Sequence, residues 1–422
     1  MFNELKNGQI IFRLVQEVED QIKEIHKEID SMIDKNQYRV LRSFQRNKLS
    51  DSHFIPSTGY GYDDTGRDTL ETVYADVFGG ESALVRPQII SGTHAISIAL
   101  FGILRPNDEL IYITGKPYDT LEEIVGVRGS GVGSLKEFNI HYRTVDLTQN
   151  GKVDFEMVKS TISKKTKMIG IQRSKGYDIR PSFSIEEIKE MVEFVKSLNP
   201  NIIVFVDNCY GEFVEEVEPC HIGADLIAGS LIKNPGGGLA KTGGYIVGKN
   251  ELVKACSYRM TSPGIGAEAG ASLYSLHEMY QGFFLAPHVV GQALKGAVFT
   301  AALLEKIGLN TNPKWNKKRT DLIQTIQFDN RERMVAFCQS IQYASPINSH
   351  VTPYPSYMPG YEDDVIMAAG TFVQGASIEL TADGPIRPPY VAYVQGGLTY
   401  SHVKIAVCSA IDECIENNLI RI

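Results

Sequence analysis

The sequence predicts an α/β protein, with a mostly parallel central sheet covered by helices and a smaller C-terminal α+β domain. Three observations lead there. Short apolar runs alternate with amphipathic segments between residues 51 and 267. Those runs are continuously apolar, as strands buried on both faces are, instead of alternating with polar residues. Beyond residue 267 the pattern changes to long helical spacing and then to mixed short elements.

The elements follow in chain order. Ile11, Leu14, Val18, Ile22, Ile25, Ile29 and Met32 recur at helical spacing over residues 8–35, with charges between them. This amphipathic helix packs against the body or against a second subunit, and residues 1–50 form an N-terminal helical arm. Helices are expected at 69–78, 95–104 and 184–198; the last opens on Ser184 with Glu187 three residues on, a capping box. Strands are expected at 109–114, 167–172, 201–207, 225–230 and 244–248. Residues 51–267 then make the large domain, and 268–422 the connecting helices (268–308) and the small domain.

Bulk properties narrow the function. The chain has 422 residues, 43% of them hydrophobic, and a net charge of −8, enough for two domains each with its own core. An acidic balance gives no reason to expect nucleic acid or an anionic membrane as partner. No run approaches the roughly 18 apolar residues of a membrane span. The N-terminal "MFNELKNGQIIF" lacks the pattern of a secretory signal. Six scattered cysteines without a C-x-x-C pair suit reduced thiols and a cytoplasmic location. With no H-E-x-x-H among the histidines, no metal is expected.

The stretch "GSLIKNPGGGLAKTGG" (229–244) poses a choice between two lysines. A nucleotide phosphate loop around Lys241 needs glycine just before the lysine, and Ala240 stands there. "RGSGVGS" (128–134) follows a helix instead of a strand and reads as a loop near a site. Lys233, after the strand-like "DLIAGS", suits an amine that anchors a carbonyl cofactor. Asp207 ends the apolar run "NIIVFVD", where an unpaired carboxylate is costly to bury unless it faces a cation such as a pyridinium. Ser91, Gly92, Thr93 and His94 open an apolar helix whose first N–H groups suit a phosphate, and Ser230 adds a hydroxyl. Amine, acid and phosphate donors on successive βα units are what pyridoxal 5′-phosphate (PLP) requires.

At these residues the sequence resembles a known group. "VDNCYGEF" (206–213), "GSLIKN" (229–234) and "GGYIVG" (243–248) resemble the fold-type-I PLP enzymes (aspartate aminotransferase-like fold) of the cystathionine and methionine gamma-lyase group. "TGYGYDDTGRDTLETVYADVFG" (58–79), "FVQGASIELTADGPIRPPY" (372–390) and "VQGGLTY" (394–400) are similar to its aluminium-resistance, or methionine gamma-lyase-like, branch. The resemblance implies that Lys233 carries the cofactor, that Asp207 faces its ring nitrogen, and that Ser230, Gly92 and Thr93 hold its phosphate. It puts Tyr118 on the ring face, with His94 as the competing residue. It implies that Tyr60 or Tyr62, with Arg67, reaches the phosphate of a neighbouring subunit in a homodimer or homotetramer. The group's asparagine near the ring hydroxyl has no match; Ser174 or Arg173 stands in its place. Arg387 is the candidate fork for the substrate carboxylate. The implied activity is a carbon–sulfur lyase acting on a cystathionine- or methionine-like amino acid. In it the freed Lys233 amine, its pKa lowered by its site, removes the Cα proton before β- or γ-elimination. A transaminase or aldolase, or a low-turnover protein with a metal-tolerance or regulatory role, is the alternative.

Overall fold

Helical structure in the N-terminal arm runs further than its apolar stripe. The structure, a computed structural model, describes residues 2–420, and α1 spans Gly8–Arg46. Past Met32 the buried face continues through Asn36, Val40 and Ser43, two of them polar, which is why the stripe ends early. Asn36 Nδ2 donates to the carbonyls of Phe213 (3.0 Å) and Glu215 (3.2 Å), and Ser43 Oγ to that of Val73 (3.4 Å). The helix lies on the body of its own chain, with Ile33 seated in the notch left by Gly291 of the long helix described below.

The remaining helices are α2 (Thr65–Phe78), α3 (Gly92–Ile103), α4 (Asp119–Val125), α5 (Phe155–Thr161), α6 (Ile185–Leu198), α7 (Asn250–Met260), α8 (Leu276–Lys306), α9 (Arg331–Tyr343) and α10 (Tyr400–Glu416). The strands are β1 (Ser82–Arg86), β2 (Glu109–Tyr112), β3 (His141–Thr144), β4 (Thr166–Gln172), β5 (Ile203–Asp207), β6 (Leu226–Ser230), β7 (Gly244–Gly248), β8 (Asn310–Asn312), β9 (Gln324–Gln327), β10 (Val365–Ala368), β11 (Thr381–Pro385) and β12 (Val391–Gln395). The capping box of Ser184 and Glu187 is formed at α6. Strands β1 and β3 were not legible: β3 reads "HYRT" and sits at the sheet edge with mostly exposed residues.

The large sheet has the order β1-β7-β6-β5-β4-β2-β3, and within it β6, β5, β4, β2 and β3 run parallel. β7 runs antiparallel to both of its neighbours, β1 and β6. The second sheet, β10-β11-β12-β9-β8, is antiparallel throughout. The expected fold class is therefore the observed one. Among the described residues no helix is long and apolar enough to cross a membrane.

Strand periodicity decides which face each residue serves. Ile203 and Phe205 of β5, with Leu226 and Ala228 of β6, face the layer of α3, α4 and α7. Val204, Val206 and Ile227 face the opposite layer, with α2, α6 and α8. Continuing each strand by the same alternation puts Asp207 and Ser230 on the α3 face and Gly229 on the other.

Asn36 ties α1 to the loop after β5, and two buried carbonyls depend on it. Asn36→Ala should cost about 1–3 kcal/mol of unfolding free energy in urea denaturation. A loss below about 0.5 kcal/mol, the range of neutral surface changes, would mean that those carbonyls find other donors.

Candidate active site

The parallel strands end in one cluster of polar groups. Gln172 closes β4 and is paired in register with Asp207 at the end of β5; Ser230 closes β6. Beside them lies a cavity of about 270 Å³, also lined by Lys233, Tyr210, Tyr118, Tyr177 and Tyr361. The carboxyl edge of a parallel sheet is where such folds place ligands, because the loops there diverge from the strands.

Lys233 enters on the turn after β6. Its neighbour Asn234 donates through Nδ2 to the Glu212 carbonyl at 2.9 Å, which fixes the turn. The ammonium Nζ stands 4.0 Å from the centre of the Tyr210 ring, a cation–π contact. Tyr210 reaches that position only with φ at 68°, a left-handed conformation uncommon for a tyrosine.

The lowered pKa expected of this amine concerns the residue freed from a bound cofactor; in the site as it stands its charge is favoured. Burial works against its charge but is outweighed by the acidic groups Cys209, Tyr210, Asp207 and Glu212 around it, so the pKa lies above the ordinary lysine value. Asp207 shows the complementary effect. Burial raises its pKa, and Lys233 and hydrogen bonds from Cys209 oppose the rise. Its Oδ1 accepts the Cys209 N–H at 3.2 Å.

The N-terminus of α3 forms the facing wall. Ser91 caps the helix by accepting the His94 N–H at 3.0 Å, which leaves the Gly92 and Thr93 amides at the cavity. A Cβ on Gly92 would stand 3.1 Å from Cys209 Sγ and 3.4 Å from Ser230 Cβ, so glycine is what lets α3 start this close to β6. Helix-end amides beside the Ser230 hydroxyl suit an anion. Gln172, only 5% exposed, donates Nε2 to the Ser174 carbonyl and leaves Oε1 without a partner at the cavity wall. The arrangement can hold a planar ligand that carries a carbonyl, an anionic group and hydrogen-bond donors.

The family profile described as methionine gamma-lyase matches residues 11–415. The chain belongs to the methionine gamma-lyase family. The uncharacterized protein YnbB of Bacillus subtilis (strain 168) is 73% identical over 421 residues, 100% of both chains. A solved structure from Listeria monocytogenes, described as a candidate cystathionine beta-lyase involved in aluminum resistance, is 68% identical with a TM-score of 0.93. That alignment covers 95% of this chain and 99% of the other. The fold extends to the pyridoxal-5′-phosphate dependent protein YhfS of Escherichia coli, at a TM-score of 0.61 and 16% identity over 91% of this chain and 96% of that one. The family membership places the protein among candidate carbon–sulfur lyases of PLP-enzyme fold.

Within this family member, the residues singled out from sequence divide sharply. Lys233, Asp207, Ser230, Ser91, Gly92, Thr93, Tyr118 and Ser174 all line the cavity. His94 does not: its Nδ1 accepts the Ile90 N–H at 3.2 Å, behind the helix start. Of the two competing residues for the ring face, only Tyr118 is at the cavity. Ser174 spends its hydroxyl on Asp321 at 2.7 Å, and Arg173 is buried outside the cavity against Glu215 and Asn208. Tyr60 and Tyr62 are 74% and 59% exposed and stack on each other. Arg67 is correspondingly unavailable to a neighbour. Its side chain is 3% exposed, with the guanidinium paired with Asp68 at 2.8 Å and bonded to the Gly61 and Gly270 carbonyls, so it braces the tyrosine turn from within.

Arg387 is the largest departure. It lies across the Tyr118–Tyr177 wall in an adjoining cavity, bonded to Asp363 at 3.0 Å and to the Tyr177 carbonyl at 3.1 Å. Burial lowers its pKa, but Asp119 and Asp363 outweigh that and hold it above the ordinary value. Lys241, the other lysine of the opening choice, is a surface residue paired with Glu278.

Sequence reading missed Tyr210, Tyr361 and Gln395. Tyr210 carried a signal, since it lies three residues after Asp207 in a Tyr-Gly turn. Tyr361 carried none; its hydroxyl meets that of Tyr118 at 2.6 Å across 243 residues of chain.

Arg387→Ala should change ligand binding at the Lys233 cavity by less than about threefold, and stability by about 0–1 kcal/mol, as for a half-exposed ion pair. Equilibrium dialysis and thermal melts check both. A tenfold loss of binding would put the arginine back in contact with the ligand.

Proposed function

We propose that the protein is a PLP-dependent carbon–sulfur lyase acting on a sulfur-containing amino acid. The observation that carries this reading is the convergence of Lys233, Asp207 and the α3 N-terminus on one cavity in a chain of this family. The donor set fits the cofactor: an amine for its aldehyde, a buried carboxylate for its ring nitrogen, and amides of Gly92 and Thr93 with the Ser230 hydroxyl for its phosphate. Ser91 holds the capping geometry that keeps those amides free.

When bound, PLP supplies an aldehyde that takes up the substrate amine and a protonated ring that withdraws electrons from Cα. Lys233 anchors the cofactor and, displaced by substrate, is the amine placed to accept the Cα proton. It holds its own proton tightly among acids, so Asp207 has a second task. By redirecting its charge to a ring cation, Asp207 gives Lys233 less reason to stay charged. Asp207 also keeps the proton on the ring nitrogen, because a carboxylate beside it favours the charged form. Tyr118, Tyr177 and Tyr361 wall off the space for the sulfur-bearing side chain and exclude water there. Loss of the thiol from Cβ or Cγ and hydrolysis of what remains give a 2-oxo acid and ammonia.

A second copy of the chain completes this reading. The exposed Tyr60–Tyr62 stack supports a homodimer or homotetramer in which that turn meets the neighbour's cavity, with Arg67 as its internal brace. The substrate is an amino acid; no nucleic acid or membrane enters the proposal, and a cytoplasmic setting suits the six free cysteines.

Purified protein mixed with PLP should develop a visible absorbance band. Lys233→Ala should abolish it and Lys241→Ala should leave it unchanged; the opposite pattern would refute the assignment. Asp207→Asn should keep the fold and some cofactor but slow exchange of the substrate α-proton by at least about a hundredfold, since an amide cannot hold the ring proton. Exchange at the parent rate, read by NMR in deuterium oxide, would remove Asp207 from that role.

A further inference from the structure

A second buried carboxyl lies under the lysine turn, on the opposite face of the sheet from the cavity. The loop after β5 turns sharply enough to serve both faces: Tyr210 and Phe213 adopt φ of 68° and 61°, both left-handed. Strain at two bulky residues in one turn persists only where packing imposes it. Its effect is to send Tyr210 into the cavity and Glu212 beneath β6.

Glu212 is 0% exposed. Its Oε1 accepts the Tyr245 hydroxyl at 2.7 Å, and its Oε2 has no partner. The space exists because Gly229 has no side chain: a Cβ there would stand 2.7 Å from Glu212 Oε1. Glu212's own carbonyl holds Asn234, next to Lys233, at 2.9 Å. The charged and titratable groups around it are few. Tyr245 comes from β7 and Tyr74 from α2, Cys209 and Glu218 share its loop, Lys233 is the cation that acts on it most, and Arg173, paired with Glu215 and Glu218, lies behind Gly211.

We propose that Glu212 is a positioning residue for Lys233: a carboxylic acid enclosed beneath the lysine's turn, neutral while Asp207 serves as the counter-ion and able to become a second one. This rests on Lys233 being the reactive amine of the proposed lyase. A neutral acid also accounts for the hydrogen-bond pattern, since a buried carboxylate would leave a full negative charge with one donor. Burial is the main cause of its weakened acidity, opposed by the Tyr245 hydrogen bond, and it places the proton's release at about pH 8. Below that pH the proton stays on Glu212. Above it the new carboxylate stabilises the Lys233 ammonium and delays its deprotonation.

Two cofactor-free measurements test the proposal, so failure to bind PLP would count against the lyase reading alone. Infrared difference spectra of the parent chain against Glu212→Gln should show one neutral-carboxyl carbonyl band at pH 6.5, fading as the pH rises through about 8. In Tyr245→Phe, which removes an acidifying hydrogen bond, the fading should move to higher pH. Competitive labelling with acetic anhydride, read by mass spectrometry on the Lys233 peptide, should give matching reactivities for parent and Glu212→Gln below pH 7. Above about pH 9 the variant should label at least about threefold faster, because its ammonium lacks the second carboxylate. Absence of the carbonyl band, or labelling profiles that coincide at every pH, would overturn the proposal and leave Glu212 a packing residue.

Discussion

One partly buried ammonium organises the carboxyl edge of the sheet. Lys233 carries a charge that burial disfavours, and the Asp207 carboxylate and the face of Tyr210 offset the cost, with the Glu212 carboxyl in reserve beneath the strand. Asp207 closes β5, and Tyr210 and Glu212 follow on the loop after it. That loop adopts left-handed backbone at two bulky residues, so its conformation is set by what it must reach and not by local preference. The same arrangement prepares the cavity for a ligand whose own positive charge can replace that of the lysine.

The cavity is built from both sheets. The large sheet contributes the polar floor through Asp207, Ser230 and Gln172. Tyr361 and Gln395 close it from the side of the small sheet. The Tyr118–Tyr361 hydroxyl bond joins the two sides directly. Arg128 adds a second tie, with hydrogen bonds to the Asp119 carbonyl on one side and the Gly360 carbonyl on the other. Arg387 adds a third, between Asp363 and the Tyr177 carbonyl. An arginine chosen from sequence as a substrate fork is thus a brace in the wall. Its Gly/Pro-rich surroundings hold it firmly, but facing Asp363.

Local pattern carried a large part of the fold. Parallel strands buried on both faces reveal themselves by continuous apolar runs, and β4 to β7 lie where those runs lie. The strands that escaped have other physics: β3 is a polar edge strand, and β1 ends in Arg86, whose charge is matched by Glu71 only after folding. The same holds for α1. Its last turns are fixed by Asn36 and Ser43 reaching backbone carbonyls elsewhere, and no periodicity of apolar residues announces that.

The sequence by itself determined the order of chemical groups along the chain: a helix start at Gly92, an acid at the end of β5, and an amine just after β6. Successive βα units of a parallel sheet must bring such positions to one edge, so their convergence follows from connectivity. Only the tertiary structure decided which other side chains join them. Gln395 arrives from the antiparallel sheet and Tyr361 from the turn before β10, His94 and Arg67 turn away, and Glu212 crosses to the opposite face. Those outcomes depend on contacts between segments far apart in the chain, where packing and the need to match buried charge outweigh anything written in the neighbouring residues.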